Sequence, residues 1–303
     1  MTAESLVAPR ICITVPFFSN LEYLHVALRS LLAQTDPHWT AIVVDDASPE
    51  AGADSVVAAL GDARMRFMRN ETNLGVAANF NRCLELGAAE AEIVVVFHAD
   101  DVLEPGYVAA VRGAHRAFPA ASCVAPRVTV IGDKGQPIRT LGDSVKQRMW
   151  PRKLPMALVG DDGLARLMHG QFFYCPSVSY RVERLPEPRF DGRWQQVMDL
   201  DLYARVLLNG GSIVIAPQRV YRYRRHDATM TAQNSRSLVR VGEEVAVSRE
   251  IAAAARERGW KHAARAARLR ITVRLNGLLE ATRLLRHRQL RGAIKAVGQA
   301  TRK

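Results

Sequence analysis

Residues 93–97, Ile-Val-Val-Val-Phe, are apolar at every position. A strand with one face in water alternates polar and apolar residues. A strand buried on both faces of a parallel sheet need not. The run stops at His98-Ala99-Asp100-Asp101, which sets two carboxylates and an imidazole at the carboxyl end of a central strand. Open α/β sheets place their ligands at that end. Asp100 and Asp101 are costly to bury unpaired, so a cation or a solvent-filled cleft should face them. Oxygen ligands suit Mg²⁺ or Mn²⁺, which commonly bridge protein carboxylates to substrate phosphates. An acidic turn capping the next helix is the plainer alternative.

Similar runs recur on either side. Residues 10–15 read as a first buried strand ended by Pro16, and residues 40–44 as a second, ending in Asp45-Asp46. Apolar residues at helical spacing mark helices over 21–34, 52–60 and 76–87, with a short strand near 65–68. Pro105 suits the first turn of a helix running to Phe118, and residues 122–131 read as a strand. This alternation predicts an α/β fold with a doubly wound, mostly parallel sheet. Residues 133–162, with scattered Gly and Pro and little periodicity, read as a long excursion or lid. Beyond it come a helix over 163–169, a strand over 178–182, and a helix over 195–209 with Val197, Leu200, Ala204, Leu207 and Leu208 inward. Two strands, 212–216 and 219–223, then meet at Pro217. The two acidic pairs, Asp45-Asp46 and Asp100-Asp101, fall along one edge of such a sheet.

The net charge of +12 is unevenly spread. Residues 240–303 carry 16 Lys/Arg against 5 Asp/Glu, a surplus of +11, which leaves 26 against 25 for the rest. We therefore expect a nearly neutral main domain over 1–235 and a basic helical extension over 236–303. In the extension Leu275, Leu278, Leu279, Thr282 and Leu285 fall on one side of a helix, and Arg274, Arg283, Arg286, Arg288 and Arg291 largely elsewhere. A basic amphipathic helix of this kind suits peripheral contact with a membrane, or packing on the main domain or on a second subunit in a homodimer. Basic charge without a recognised motif implies no specific nucleic-acid binding. The start, MTAESLVAPR, has no basic stretch followed by an apolar one, so no signal peptide is expected. Four scattered cysteines without metal-type spacing read as reduced thiols of a cytoplasmic protein. The expected location is cytoplasmic, with peripheral contact at the inner face of the cell membrane.

No GxGxxG, P-loop, HExxH or CxxC pattern is present, which argues against a dinucleotide-binding dehydrogenase or a P-loop kinase. The stretches ITVPFFSNLEYLHVALRSLLAQT (13–35), AIVVDDAS (41–48), NLGVAANFNRCLELG (73–87), VFHADDVLEP (96–105) and FDGRWQQVMDLDLYARVLLNGG (190–211) resemble, in that order, a family 2 glycosyltransferase with the GT-A fold. The resemblance implies roles residue by residue. Pro16, Phe17 and Asp46 match positions that hold the base and ribose of a sugar nucleotide, and Asn79 lies where many members approach the base and diphosphate. Asp100 matches the last acid of the DXD motif that binds a divalent metal, Mn²⁺ or Mg²⁺, on the diphosphate. His98 stands where the motif's first acid would be, as in HxDD variants of the family. His226, after the last strand, matches a residue that reaches the metal or diphosphate, with Arg224 or Arg225 on the phosphates.

Asp199 matches the general base, the carboxylate that takes a proton from an acceptor hydroxyl. Asp201 is its rival: periodicity alone leaves both possible, and family position favours Asp199. Trp150 and Trp194 are candidates to stack on a sugar or base, or are core residues. The resemblance implies an inverting, metal-assisted glycosyltransferase. It would move a sugar from a nucleotide-diphosphate donor to a hydroxyl of a glycan or lipid-linked acceptor. The alternative is a non-catalytic nucleotide-sugar or glycan-binding protein of the same fold, prompted by His98 and Phe80.

Overall fold

The structure, a computed structural model, describes residues 9–226 and 239–269 and isolated positions beyond them. β1 (Ile11–Phe17), β2 (Trp39–Asp45), β3 (Met65–Arg69) and β4 (Ile93–Val96) are the expected parallel strands, in the order β3-β2-β1-β4. α1 (Leu21–Leu32), α2 (Ala53–Leu60) and α3 (Val76–Ala88) are the crossovers. All four residues of β4 are buried, as a strand covered on both faces requires. One core packs β1–β4 against α1, and a second lies on the opposite face beneath α3.

Beyond β4 the sheet is mixed. β6 (Cys123–Ile131) would be β4's neighbour in a fully parallel sheet, but β8 (Ser179–Tyr180) inserts between them, antiparallel to both. β9 (Ile213–Arg224) runs parallel to β6, and β5 (Val102–Leu103) and β7 (Met156–Leu158) pair antiparallel with β9. Four local expectations are corrected here. The two strands expected around Pro217 are one strand, β9, whose register against β6 shifts where Ile215 pairs with Ala125 and Arg219 with Arg127. The extra residues bulge outward, so Pro217, which has no N–H to donate, sits off the ladder. Pro105 does not open a helix; β5 precedes it, and α4 (Tyr107–Ala117) begins after Gly106. The excursion over 133–162 contains α5 (Leu141–Met149) and β7. The strand expected over 178–182 shortens to the two residues of β8.

α6 (Gly160–His169) and α7 (Met198–Leu208) complete the sheet's flank. α8 (Val239–Glu257) and α9 (Lys261–Leu269) pack on them, with Val247, Ile251, Ala252, Ala255 and Ala263 sharing a core with Leu164 and Leu207. The expected boundary at residue 235 and most of the amphipathic stretch over 274–291 lie outside the described residues. Among the described residues no helix is long and apolar enough to cross a membrane. All four cysteines are free thiols.

Candidate active site

Parallel strands that end together leave their next residues along one edge, and the site is built there. β2 ends at Asp45, whose carboxylate accepts from Ser48 N (2.8 Å) and pairs with Arg69. Asp46 follows, almost wholly buried. Its Oδ1 accepts from the Leu74 N–H (2.9 Å) and from Asn70 Nδ2 (2.9 Å), and its Oδ2 from the Gly75 N–H (3.0 Å). Gly75 has φ of 79°, a left-handed conformation that costs glycine nothing. Asn70 Nδ2 also donates to Asn79 Oδ1 (3.0 Å). Asp46 and Asn79, both expected at the donor, are thus joined through one amide.

Pro16 and Phe17 end β1 beside them. The Phe17 ring is buried in the core, so what it offers a ligand is backbone; the exposed aromatic at this strand end is Phe18, which the sequence reading passed over.

At the end of β4, His98, Asp100 and Asp101 bring their ligand atoms within 4.8 Å of one another. The two carboxylates differ. Asp101 is buried and accepts from Tyr221 Oη (2.7 Å) and from the Arg224 N–H (2.7 Å). Burial, and then the charge of Asp100, push its carboxyl well above the usual range. Burial acts upward on Asp100 too. There the hydrogen bond from His226 and the fields of His98 and His226 outweigh it, and the carboxyl is held below the usual range. Asp100 Oδ2 lies 3.0 Å from His226 Nε2, so the two expected metal ligands meet across 126 positions of chain.

His98 is wedged against Phe80 (ring centroids 5.2 Å apart), and its buried Nε2 has no partner. Burial lowers its pKa against the opposing charges of Asp100 and Asp199, so it stays neutral and able to accept a proton or a metal. A carboxylate, an imidazole beside it and an orphaned imidazole nitrogen form a donor set that fits a divalent cation of the Mn²⁺ type, which tolerates nitrogen ligands.

Asp199 begins α7. Its Oδ2 accepts from Gln171 Nε2 (2.6 Å) and its Oδ1 from the Leu200 N–H (2.8 Å). Asp201 turns the other way: it is buried and paired with Arg205, whose remaining donors hold the carbonyls of Pro188 and Arg189. The expected inward face of α7 is corrected accordingly. Leu200 and Leu208 are only partly buried, while Met198, Asp201, Leu202 and Tyr203 are buried. Trp150 and Trp194 are core residues.

The cationic side chains near the site are largely committed. Arg225 closes its fork on both oxygens of Asp143 (2.9 and 2.7 Å). Arg224 lies over Tyr23 and donates to the carbonyls of Asp100 and Asp133. Lys146, on α5, is different. Its ammonium sits 4.3 Å from the centre of the Tyr174 ring, within electrostatic reach of Asp199, Arg240 and Arg225. No signal in the sequence marked it, because α5 reads as loop.

The mostly parallel sheet carries an acidic cluster at the end of its central strand, and the carboxylate of Asp199, in the first turn of α7, lies within electrostatic range of it. The chain belongs to glycosyl transferase family 2, whose model matches residues 12–175, more than half of its length. It is 27% identical over 216 residues to the succinoglycan biosynthesis protein ExoO of Rhizobium meliloti, covering 71% of this chain and 60% of ExoO. It is 30% identical over 94 residues to the putative teichuronic acid biosynthesis glycosyltransferase TuaG of Bacillus subtilis, covering 31% of this chain and 36% of TuaG. The chain thus spans less than two thirds of the length of these relatives. In fold it is similar to S. aureus TarS 1-349 in complex with UDP-GlcNAc, with TM-score 0.63, 19% identity, and coverage of 97% of this chain and 82% of that one. It is also similar to the mannosyltransferase PcManGT from Pyrobaculum calidifontis in complex with GDP-Man and Mn²⁺, with TM-score 0.60, 16% identity, and coverage of 99% and 77%.

Proposed function

We propose that this protein is an inverting glycosyltransferase. It moves a sugar from a nucleotide-diphosphate donor to a hydroxyl of a glycan or lipid-linked acceptor in the building of a surface polysaccharide. The observation that carries the reading is that Asp199 lies within electrostatic range of His98 at the end of β4. In this reading a base and a donor-holding group about a hundred residues apart in sequence act in one cleft. Asp199, oriented by Gln171, takes the proton from the acceptor hydroxyl. The oxygen attacks the anomeric carbon on the face opposite the leaving diphosphate. One C–O bond forms as the other breaks, and the centre inverts. Pro16, the Phe17 backbone, Asp46 and Asn79 form the wall on which base and ribose rest. A divalent cation, when bound, would be held by Asp100 and His226 and would neutralise the departing diphosphate.

The polysaccharide context comes from the names of ExoO and TuaG. The nucleotide-sugar donor is supported by the complexes of the two fold relatives. A ligand that binds only the folded state raises its melting temperature. A panel of UDP- and GDP-sugars, each with and without Mn²⁺, should therefore give one or more donors that shift the melting curve more strongly with the ion. Those donors should then release nucleoside diphosphate on turnover. Binding with no release under any acceptor would favour the non-catalytic reading. No stabilisation by any sugar nucleotide would overturn both.

A further inference from the structure

Between the end of α8 and α9 lies a cavity of about 420 Å³ lined by Arg256, Trp260, Lys261, Ala264, Arg265 and Arg268. Its geometry is fixed from below. Gly259 turns the chain in the left-handed region, and Ala263, Ala264, Ala266 and Ala267 seat α9 closely against its neighbours. The four cations lie exposed on the outer face, at positions 261, 265 and 268 of α9 and at the end of α8.

Among the described residues no carboxylate lines the cavity, and none of the four cations has a carboxylate at salt-bridge distance. Lys261 and Arg265 at i,i+4, and Arg265 and Arg268 at i,i+3, are like-charge pairs that oppose the helix. Lys261 also stands at the positive end of the α9 dipole. The acids that this helix start needs come from the other side: Asp161 accepts from the N–H groups of His262 (3.1 Å) and Ala263 (2.6 Å), and Asp162 lies 2.7 Å from His262 Nδ1. Among the described residues the outer face has no paired counter-charge, and an external anion would relieve it.

The site is remote from the chemistry. Arg240, within reach of Lys146 near Asp199, and Arg256 are sixteen residues apart on α8, about 24 Å at the helical rise. A phosphate held in the cavity is therefore too far away to belong to the reacting donor. Guanidinium forks match phosphate oxygens, and a partly exposed indole at the rim suits a membrane interface. A nucleic acid would call for a row of stacking aromatics along a basic track, and here there is one tryptophan. We infer that this cavity takes the phosphate headgroups of anionic phospholipids and seats the enzyme on a negatively charged membrane surface, with Trp260 at the interface. The inference does not depend on the glycosyl-transfer reading.

The test is flotation of the full chain with vesicles of phosphatidylcholine alone and of equimolar phosphatidylcholine and phosphatidylglycerol. Wild type should bind the mixed vesicles only, and its fluorescence should shift to the blue; Trp260→Phe should remove that shift. The variant Arg256→Gln/Lys261→Gln/Arg265→Gln/Arg268→Gln should lose about tenfold or more of the binding, since each basic residue near such a surface contributes measurably. The milder Arg265→Gln/Arg268→Gln should lose part of it. A control with equal charge removed, Arg283→Gln/Arg286→Gln/Arg288→Gln/Arg291→Gln, should keep most of it. Unchanged melting curves and unchanged donor stabilisation would show that the variants fold and that the catalytic site is intact. Equal losses in the cavity variant and the control would overturn the inference, as would full binding by the cavity variant. Tighter cavity-dependent binding to a single-stranded oligonucleotide than to vesicles would also overturn it.

Discussion

Asp199 and Asp201 leave the same turn of α7 in opposite senses. Asp199, partly exposed, accepts from Gln171 at 2.6 Å, and Asp201, buried, is locked to Arg205 at 2.8 Å. Their substitutions should therefore separate chemistry from folding. Asp199→Asn keeps the shape and removes the base; turnover should fall by about 10²–10⁴-fold while donor stabilisation persists. Asp201→Asn weakens a buried pair that also organises the carbonyls of Pro188 and Arg189. It should cost about 1–3 kcal/mol in denaturant unfolding and leave most of the rate per folded molecule. A dead but fully stable Asp201→Asn would move the base to Asp201.

Asp100 and His226 should act together. Asp100→Ala should abolish the Mn²⁺-dependent part of donor stabilisation. His226→Ala, which removes the imidazole 3.0 Å from Oδ2 and with it one of the two groups that would hold the ion, should weaken Mn²⁺ by at least the ~10–100-fold that loss of an orienting partner alone costs. Calorimetric titration of Mn²⁺ in the presence of donor measures both. An Asp100→Ala protein that keeps wild-type Mn²⁺ affinity would remove this pair from the metal assignment.

The strand-end carboxylates were legible because a buried parallel strand is a bare apolar run, and β2 and β4 break into acidic segments at one edge. α5 was not, because no apolar stripe holds it. Thr140 caps it, and Asp143 anchors it by accepting from Tyr174 and Arg225, partners more than thirty residues away. The continuity of β9 was hidden for a related reason: Pro217 ends a ladder locally, and only the pairing with β6 shows that the strand resumes, in a shifted register. Asp201 stood as a rival to Asp199 because its burial depends on Arg205 reaching a separate loop. Where local pattern and tertiary partner agree, the sequence is readable; where a charge pair replaces an apolar contact, it is not.

Gly87 marks a close approach of α3 to the sheet. A Cβ there would lie 2.6 and 2.9 Å from the two γ-carbons of Val94, itself fully buried in β4. Gly87→Ala gains helix propensity, but overpacking should dominate and destabilise by about 1–3 kcal/mol. The double variant Gly87→Ala/Val94→Ala should be less unstable than the sum of the single changes, because contacting positions couple. Denaturant midpoints of the three variants test this, and strict additivity would show that α3 shifts instead of clashing.

Lys146 gives the last expectation, a pH dependence. Burial, reinforced by Arg240, lowers its ammonium from the ordinary lysine value to about 8, and the nearby charges of Asp199 and Asp143 only partly oppose this. In the unfolded chain the same group keeps its proton to about 10.4. Between these values the unfolded state binds more protons than the folded one, so this group's contribution makes stability rise with pH across the window. Below about pH 8 the folded protein carries a charged, poorly solvated lysine, which lowers its stability. Lys146→Met keeps the apolar stem and removes that burden. The variant should therefore be more stable than wild type at pH 7, and its advantage should shrink from pH 8 to pH 9.5, below the titration of ordinary tyrosines. Urea unfolding of both proteins at intervals through that range reads the difference directly. An advantage that stays constant to pH 9.5 would mean that Lys146 stays charged throughout, with solvent reaching it beside Tyr174.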